Sequence, residues 1–186
     1  MTMARPTIYL AGDHAAFELK KQIVAYLKKR GYKVRDFGPH EYNPEDDYPD
    51  FIIPMAKAVA KAHPHLNPPP LRRRNSNALP LPVWERVGVR GIALGGSGIG
   101  ECIVANKVKG VRAVRAWDKV SAKMSRWHND TNVLCFGGGK TKDPAARDLA
   151  LTFAQAKPII DIWLATPFSG EPRHVRRLKK IARIEK

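Results

Sequence analysis

The chain has only two cysteines in 186 residues, Cys102 and Cys135, and neither lies in a C-x-x-C pattern or beside a pair of histidines. That excludes a zinc site and a disulfide framework, and it makes both thiols small buried hydrophobes of a reducing compartment. Long apolar runs are missing too: none approaches the roughly 20 residues that cross a bilayer, and residues 1–10 lack a sustained apolar stretch of signal-peptide type. The expectation is a cytoplasmic protein with no membrane partner. Acidic residues are scarce, 17 against 33 lysines and arginines, leaving a net charge of +16. This balance fits a nucleic-acid binder, and equally a phosphate-handling protein with a basic tail. There is no internal repeat and no heptad pattern, which sets aside solenoids and coiled coils. A hydrophobic content of 44% is enough for one full core, so residues 1–186 are expected to form a single domain.

What is present is a regular alternation of short apolar runs and amphipathic segments. Residues 7–11 (TIYLA) read as a strand that ends on Gly12, Asp13 and His14. From 16 to 30, Leu19, Ile23, Tyr26 and Leu27 recur at helical spacing before Gly31 stops the helix. A strand over 32–37 follows, then an acidic loop, then a helix over 51–62 with Asp50 as its cap. Further on come strands at 91–94, 111–116 and 132–136, and helices at 99–107 and 119–127. A helix over 145–164, interrupted near Pro158, and a basic terminal helix over 173–184 complete the chain. This order predicts an α/β fold of three layers, a doubly wound, Rossmann-like parallel five-stranded sheet with a C-terminal helix. Ligands of such sheets bind beyond the strands' carboxyl ends, where Asp13, His14, Ser97, Glu101, His128 and Asn129 are expected to converge. Residues 63–88 break the pattern with prolines and arginines and read as an insertion within the domain, either a solvated excursion or a basic arm.

Gly95-Gly96-Ser97-Gly98-Ile99-Gly100-Glu101 packs four glycines, a hydroxyl and a carboxylate between a strand and a helix start. Such a turn either packs a helix on a strand or cradles an anion with its N–H groups. Glu101 either complements the helix dipole or acts as a base whose burial raises its pKa. Moving a proton between adjacent carbons of a sugar needs a base, donors for the enediolate oxygen and a group that opens the ring. Glu101, Ser97 and the backbone of Gly96, Gly98, Ile99 and Gly100 supply the first two without metal or cofactor. His14 and His128 are loop histidines with open roles. Arg173, His174, Arg176 and Arg177 form either a phosphate clamp or a solvated helix face.

Taken together, these motifs resemble the ribose/galactose isomerase family, ribose-5-phosphate isomerase of the B type included. The resemblance is carried by Ala11-Gly12-Asp13-His14-Ala15, Asp47-Tyr48-Pro49, residues 95–101 with Ala105-Asn106-Lys107, Trp127 through Asn132, and Arg173-His174-Val175-Arg176-Arg177. It implies an aldose–ketose isomerase acting on ribose 5-phosphate, with galactose 6-phosphate or a tetrose phosphate as alternative substrates. A basic nucleic-acid or acidic-partner binder on the same fold is the rival from another class. Members with a cysteine just before the glycine turn use it as the base. Here Gly95 stands there, so the chain resembles the subgroup whose base is the glutamate, Glu101, assisted by Ser97. The resemblance further implies His128 as ring-opening acid and Asp13 and His14 on sugar and phosphate. It places Asn129 on an enediol oxygen, Arg173 and Arg177 on the phosphate, and each site between subunits of a homodimer or homotetramer. The family usually carries an arginine after the fifth strand, where this chain has Gly137-Gly138-Gly139 and then Lys140. Either a phosphate or substrate contact is missing there, or Lys140 replaces it as a point charge of poorer geometry, and activity with and without Gly139→Arg distinguishes the two.

Overall fold

Strand residues that are apolar on both faces belong in a sheet covered on both sides, and this chain builds one from five parallel strands. The structure, a computed structural model, describes residues 5–62, 88–139 and 144–185. Strands β1 (Thr7–Gly12), β2 (Val34–Asp36), β3 (Val89–Gly95), β4 (Ala113–Arg115) and β5 (Val133–Gly137) lie in the order β2-β1-β3-β5-β4. All neighbours are parallel, with Leu10 beside Ile92 and Ile92 beside Leu134. Side chains alternate across the sheet, so Ile8, Leu10, Ile92, Leu94, Leu134 and Phe136 face one layer of helices, and Ala11, Ala93, Val133 and Cys135 the other.

Helix α1 (Phe17–Lys29) lies on the first face, and its Leu19, Ile23 and Leu27 are buried at the four-residue spacing read from the sequence. Helix α2 (Tyr48–Ala62) and helix α3 (Ile99–Asn106) cover the second face, where the small side chains of β1 and β3 let them approach closely. A side chain at Gly91 would meet Met55 and Val59 of α2. Helix α4 (Lys119–Asn129) and helix α5 (Phe153–Ala165) complete the first face, and α6 (Pro172–Ala182) packs on α4. The chain leaves β1 toward one edge of the sheet and β3 toward the other. The crevice between the carboxyl ends of β1 and β3 is therefore the topological switch point, where doubly wound sheets place ligands.

Two helices differ from the expectation. Helix α2 starts at Tyr48, so Asp50 lies inside its first turn and complements the dipole instead of capping it. Residues Pro144–Leu149 form a 3-10 helix, and α5 begins only after Thr152. There the Thr152 hydroxyl accepts the Gln155 N–H, and the Gln155 side chain accepts the Thr152 N–H at 2.8 Å, a capping box. Helix α5 then runs unbroken through Pro158. An internal proline costs about 3 kcal/mol, whereas burying a large apolar side chain stabilises by about 1.5–3 kcal/mol. The helix buries Ile159, Ile160, Trp163 and Leu164, so packing outweighs the lost hydrogen bond.

Residues 63–87 of the expected insertion, and Lys140, lie outside the described residues. The flanking ends, Ala62 and Val89, close α2 and open β3, which puts both at the amino ends of the strands. Among the described residues, no helix is long and apolar enough to cross a membrane.

Candidate active site

The first wall of the crevice is the turn that leaves β1. Asp13 is buried and caps the short 3-10 helix His14–Ala16, its Oδ1 accepting the N–H groups of Ala15 at 3.0 Å and Ala16 at 3.3 Å. Burial raises the Asp13 pKa, and the His14 charge works against that rise. His14 is held twice by Asp46, whose Oδ1 accepts its backbone N–H at 2.9 Å and lies 2.7 Å from its Nδ1. A carboxylate only accepts, so Nδ1 carries the proton and Nε2 is the ring nitrogen available to a ligand. The other oxygen of Asp46 is buried without a hydrogen-bond partner.

The second wall is the turn that leaves β3. Gly98, at the N-cap of α3, has φ 76°, which glycine adopts without strain, and a Cβ there would stand 2.4 Å from the Phe136 carbonyl carbon. The Ser97 hydroxyl accepts the Ile99 N–H at 3.2 Å, which leaves its own proton to donate outward. Glu101 is 3% exposed, and its Oε2 has no hydrogen-bond partner. Burial is the main cause that pushes its pKa up to about 7, with the Asp13 charge adding to the rise. Its own backbone N–H, that of Gly98 and the Arg115 charge pull it back. A Cβ built on Gly95 would lie 1.5 Å from Glu101 Oε1, so the carboxyl occupies the space a side chain at 95 would need. Of the expected cradle donors, the Ile99 N–H is thus engaged inside the loop by Ser97.

The other expected site residues do not converge on this crevice within one chain. Helix α4 starts beyond β4 at the carboxyl end and runs back, so His128 and Asn129 lie at the amino ends of the strands. Arg112, just ahead of β4, donates to the Asn129 carbonyl at 2.9 Å and to Asp130. Strand β5 alone separates the two ends by about 13 Å at ~3.3 Å per residue. His128 instead meets His174 of α6, their ring centroids 4.5 Å apart. His174 is buried, hydrogen-bonded through Nδ1 to Ser169 at 2.6 Å, and its pKa is lowered first by burial. Arg173 and Arg177 are exposed on the same helix, and Arg173 pairs with Glu171 at 2.8 Å.

Gly139, the position where an arginine was expected, is closed to one. A Cβ there would stand 2.2 Å from the Ala15 carbonyl oxygen, so Gly139→Arg would push the β1 turn out of place instead of adding a phosphate ligand. Sequence reasoning missed three residues at the crevice. Asp46 orients His14, and Tyr48 lies against the glycine turn, its ring 2.8 Å from where a Gly100 Cβ would be. Arg115 donates to the Ser97 carbonyl. Only Tyr48 left a signal, in the Asp47-Tyr48-Pro49 motif.

An open parallel sheet with a buried, readily protonated carboxyl at its switch point defines an α/β enzyme of the acid–base type. The chain belongs to the Ribose/Galactose Isomerase family, whose profile matches residues 8–66 and 81–181. It is 36% identical over 179 residues to ribose-5-phosphate isomerase B of Mycolicibacterium paratuberculosis, covering 96% of this chain and 91% of the relative. With ribose-5-phosphate isomerase B of Escherichia coli it shares 37% identity over 173 residues, 93% of this chain and 92% of that one. Among solved structures, ribose-5-phosphate isomerase B from Mycoplasma genitalium with bound ribulose-5-phosphate matches with a TM-score of 0.75 at 34% identity. That match covers 98% of this chain and 97% of the other.

Proposed function

We propose that this isomerase interconverts D-ribose 5-phosphate and D-ribulose 5-phosphate through a cis-enediolate, with Glu101 as the base. The observation that carries the reading is the buried Glu101 carboxyl, its Oε2 unpartnered and its pKa near 7, in the place a side chain at 95 would take. A base that both takes and returns a proton works best when its pKa lies near the working pH. Ionised Glu101 removes the proton from C2 of the open aldose, and the C1 carbonyl oxygen becomes the enediolate oxygen. The same carboxyl then delivers the proton to C1 while the O2 hydroxyl proton passes to O1, which leaves the ketose. The Ser97 hydroxyl and the N–H groups of Gly96 and Gly100 stabilise the charge that develops between the two steps. Asp13 and His14 hold the sugar and its phosphate end.

In this reading His128, Asn129, Arg173 and Arg177 reach the crevice from a second copy of the chain, opening the ring and gripping the phosphate. Two features support it: these residues lie at the far end of their own sheet, and apolar Ile99 and Ile103 of α3 are exposed beside the base loop, with Trp117 and Val120 exposed where α4 begins. The glutamate-base assignment is supported by the absence of a side chain at Gly95. Residues 63–88 are an insertion that leaves the domain at the end opposite the base loop, consistent with a family match in two stretches separated by residues 67–80. The enzyme works in the cytoplasm, where both thiols stay reduced.

Turnover of ribose 5-phosphate by Glu101→Gln tests the reading, with galactose 6-phosphate and a tetrose phosphate assayed alongside. The variant is expected to lose at least ~10²-fold in kcat while it still binds substrate. An unchanged rate removes Glu101 as base, and faster turnover of another sugar phosphate by the wild type moves the substrate.

A further inference from the structure

Arg115 ends β4 at the edge of the sheet, and no step of the proton transfer uses it. Its Nε donates to the Ser97 carbonyl at 2.6 Å and its Nη2 to the Leu149 carbonyl at 2.9 Å. These two carbonyls lie close to Gly137 at the end of β5. A Cβ on that glycine would stand 2.5 Å from the Leu149 oxygen and 2.8 Å from the Ser97 oxygen. The guanidinium therefore ties the turn after β3 to the segment that returns beside β5, across a position with no room for a side chain. Both bonds are charge-assisted, and a planar fork bridges two carbonyls in a way a lysine's single ammonium does not.

The Ser97 bond acts beyond its own oxygen. In a planar trans peptide the C=O and the following N–H point in opposite directions. Holding the Ser97 carbonyl on Arg115 thus directs the Gly98 N–H away from β4, and that N–H and the Arg115 charge both lower the Glu101 pKa. Gly98 sits at φ 76° with no side chain to pin the peptide, so the turn needs an outside anchor.

We propose that Arg115 is a positioning residue for the base: by anchoring the Ser97 carbonyl it fixes the turn that leads into the helix carrying Glu101 and keeps the carboxyl in the space beside Gly95. The proposal rests on the reading of Glu101 as the base. It also assigns a structural use to a guanidinium bonded to the base loop, in a chain whose fifth strand is followed by glycine where an arginine was expected.

Arg115→Met removes the fork and the charge at similar length, and Arg115→Lys keeps the charge without the fork. Both are compared with wild type for kcat and KM on ribose 5-phosphate, for the pH profile of kcat/KM, and for Tm. Arg115→Met is expected to lose ~10- to 100-fold in kcat with KM within about threefold, the pattern of a misaimed base. Its acid limb moves to higher pH, because ionised Glu101 has lost a cation and an oriented donor. Arg115→Lys falls between the two and stands as the test if the Met variant fails to fold. A fall in kcat with the acid limb unmoved in both variants reduces Arg115 to a structural residue and overturns the proposal. A raised KM at unchanged kcat makes it a substrate contact and overturns it too. Glu101→Gln run in parallel separates the two readings: full activity there sinks the base assignment. An inactive Glu101→Gln beside wild-type Arg115 variants sinks this inference alone.

Discussion

At the carboxyl ends of the strands, Asp13 and Glu101 are buried, His14 is bonded twice to Asp46, and Ser97 caps the turn it belongs to. At the amino ends, Asn129, Arg173 and Arg177 are exposed, and His128 is half-buried against His174. The first end is finished by folding: its groups are buried or held in place, one oxygen each of Asp46 and Glu101 is left without a partner, and burial raises the Glu101 pKa. The second end is presented to the outside, where Arg177 and the Glu171-paired Arg173 lie exposed on one helix. Under the proposed function, reactivity is built within a chain, while ring opening and phosphate capture would come from surfaces that meet when two chains associate.

The largest effect that breaks or sharpens this contrast is expected from subunit mixing. Glu101→Gln and His128→Ala proteins, each impaired by ~10²-fold or more, should recover about a quarter of wild-type activity after equal mixing and re-association. Half the dimers are then mixed, and each mixed dimer has one intact site of two. Activity no higher than the parents', with mixed dimers verified, would place both residues in one chain's site and erase the contrast.

The second effect is on stability. The Glu101 pKa is raised from 4.5 to about 7 on folding, so the folded chain binds the extra proton between those values. Stability is fully present below pH 4.5, falls as pH rises toward 7, and stays lower above it. Glu101→Gln removes that cost and should stabilise by on the order of 3 kcal/mol at pH 8 and by almost nothing at pH 4. Thermal or urea unfolding at the two pH values measures it. An equal gain at both values would mean that the carboxyl is not held near neutrality.

The smallest effect is expected from deleting residues 64–87. Turnover should stay within about threefold of wild type, because the ends it joins, Ala62 and Val89, lie opposite the base loop and changing the length of a connection costs little closure entropy. A collapse of turnover with folding preserved would tie the insertion to the site.

Much of this was legible in the chain itself. Leu19, Ile23 and Leu27 marked α1 by their spacing, and the glycine turn with Glu101 stood out because few other uses need four glycines and a carboxylate together. The T-x-x-Q start of α5 at Thr152 was equally visible, and Pro158 masked it. The separation of His128 from Glu101 also follows from connectivity: a helix that starts at the carboxyl end of one parallel strand must return to the amino end of the next. What no pattern carried was Asp46 on His14 and Arg115 on Ser97. Those contacts depend on which carbonyl or ring stands opposite after folding, and residues 32 and 18 positions apart share no local periodicity.

The Glu101 carboxyl and a side chain at Gly95 compete for one volume, and this has a consequence for how such a site changes over time. On the proposed reading, the base is defined by a location in space that a side chain at 101 or at 95 could fill, but not both together. A residue with a side chain at 95 evicts the glutamate, and losing the glutamate while glycine stays leaves the location empty. If Glu101 is the base, each single step on the path between a base supplied from 101 and one supplied from 95 is a loss. The two solutions are isolated neighbours, joined only by a paired substitution, and a lineage that has adopted one is held there.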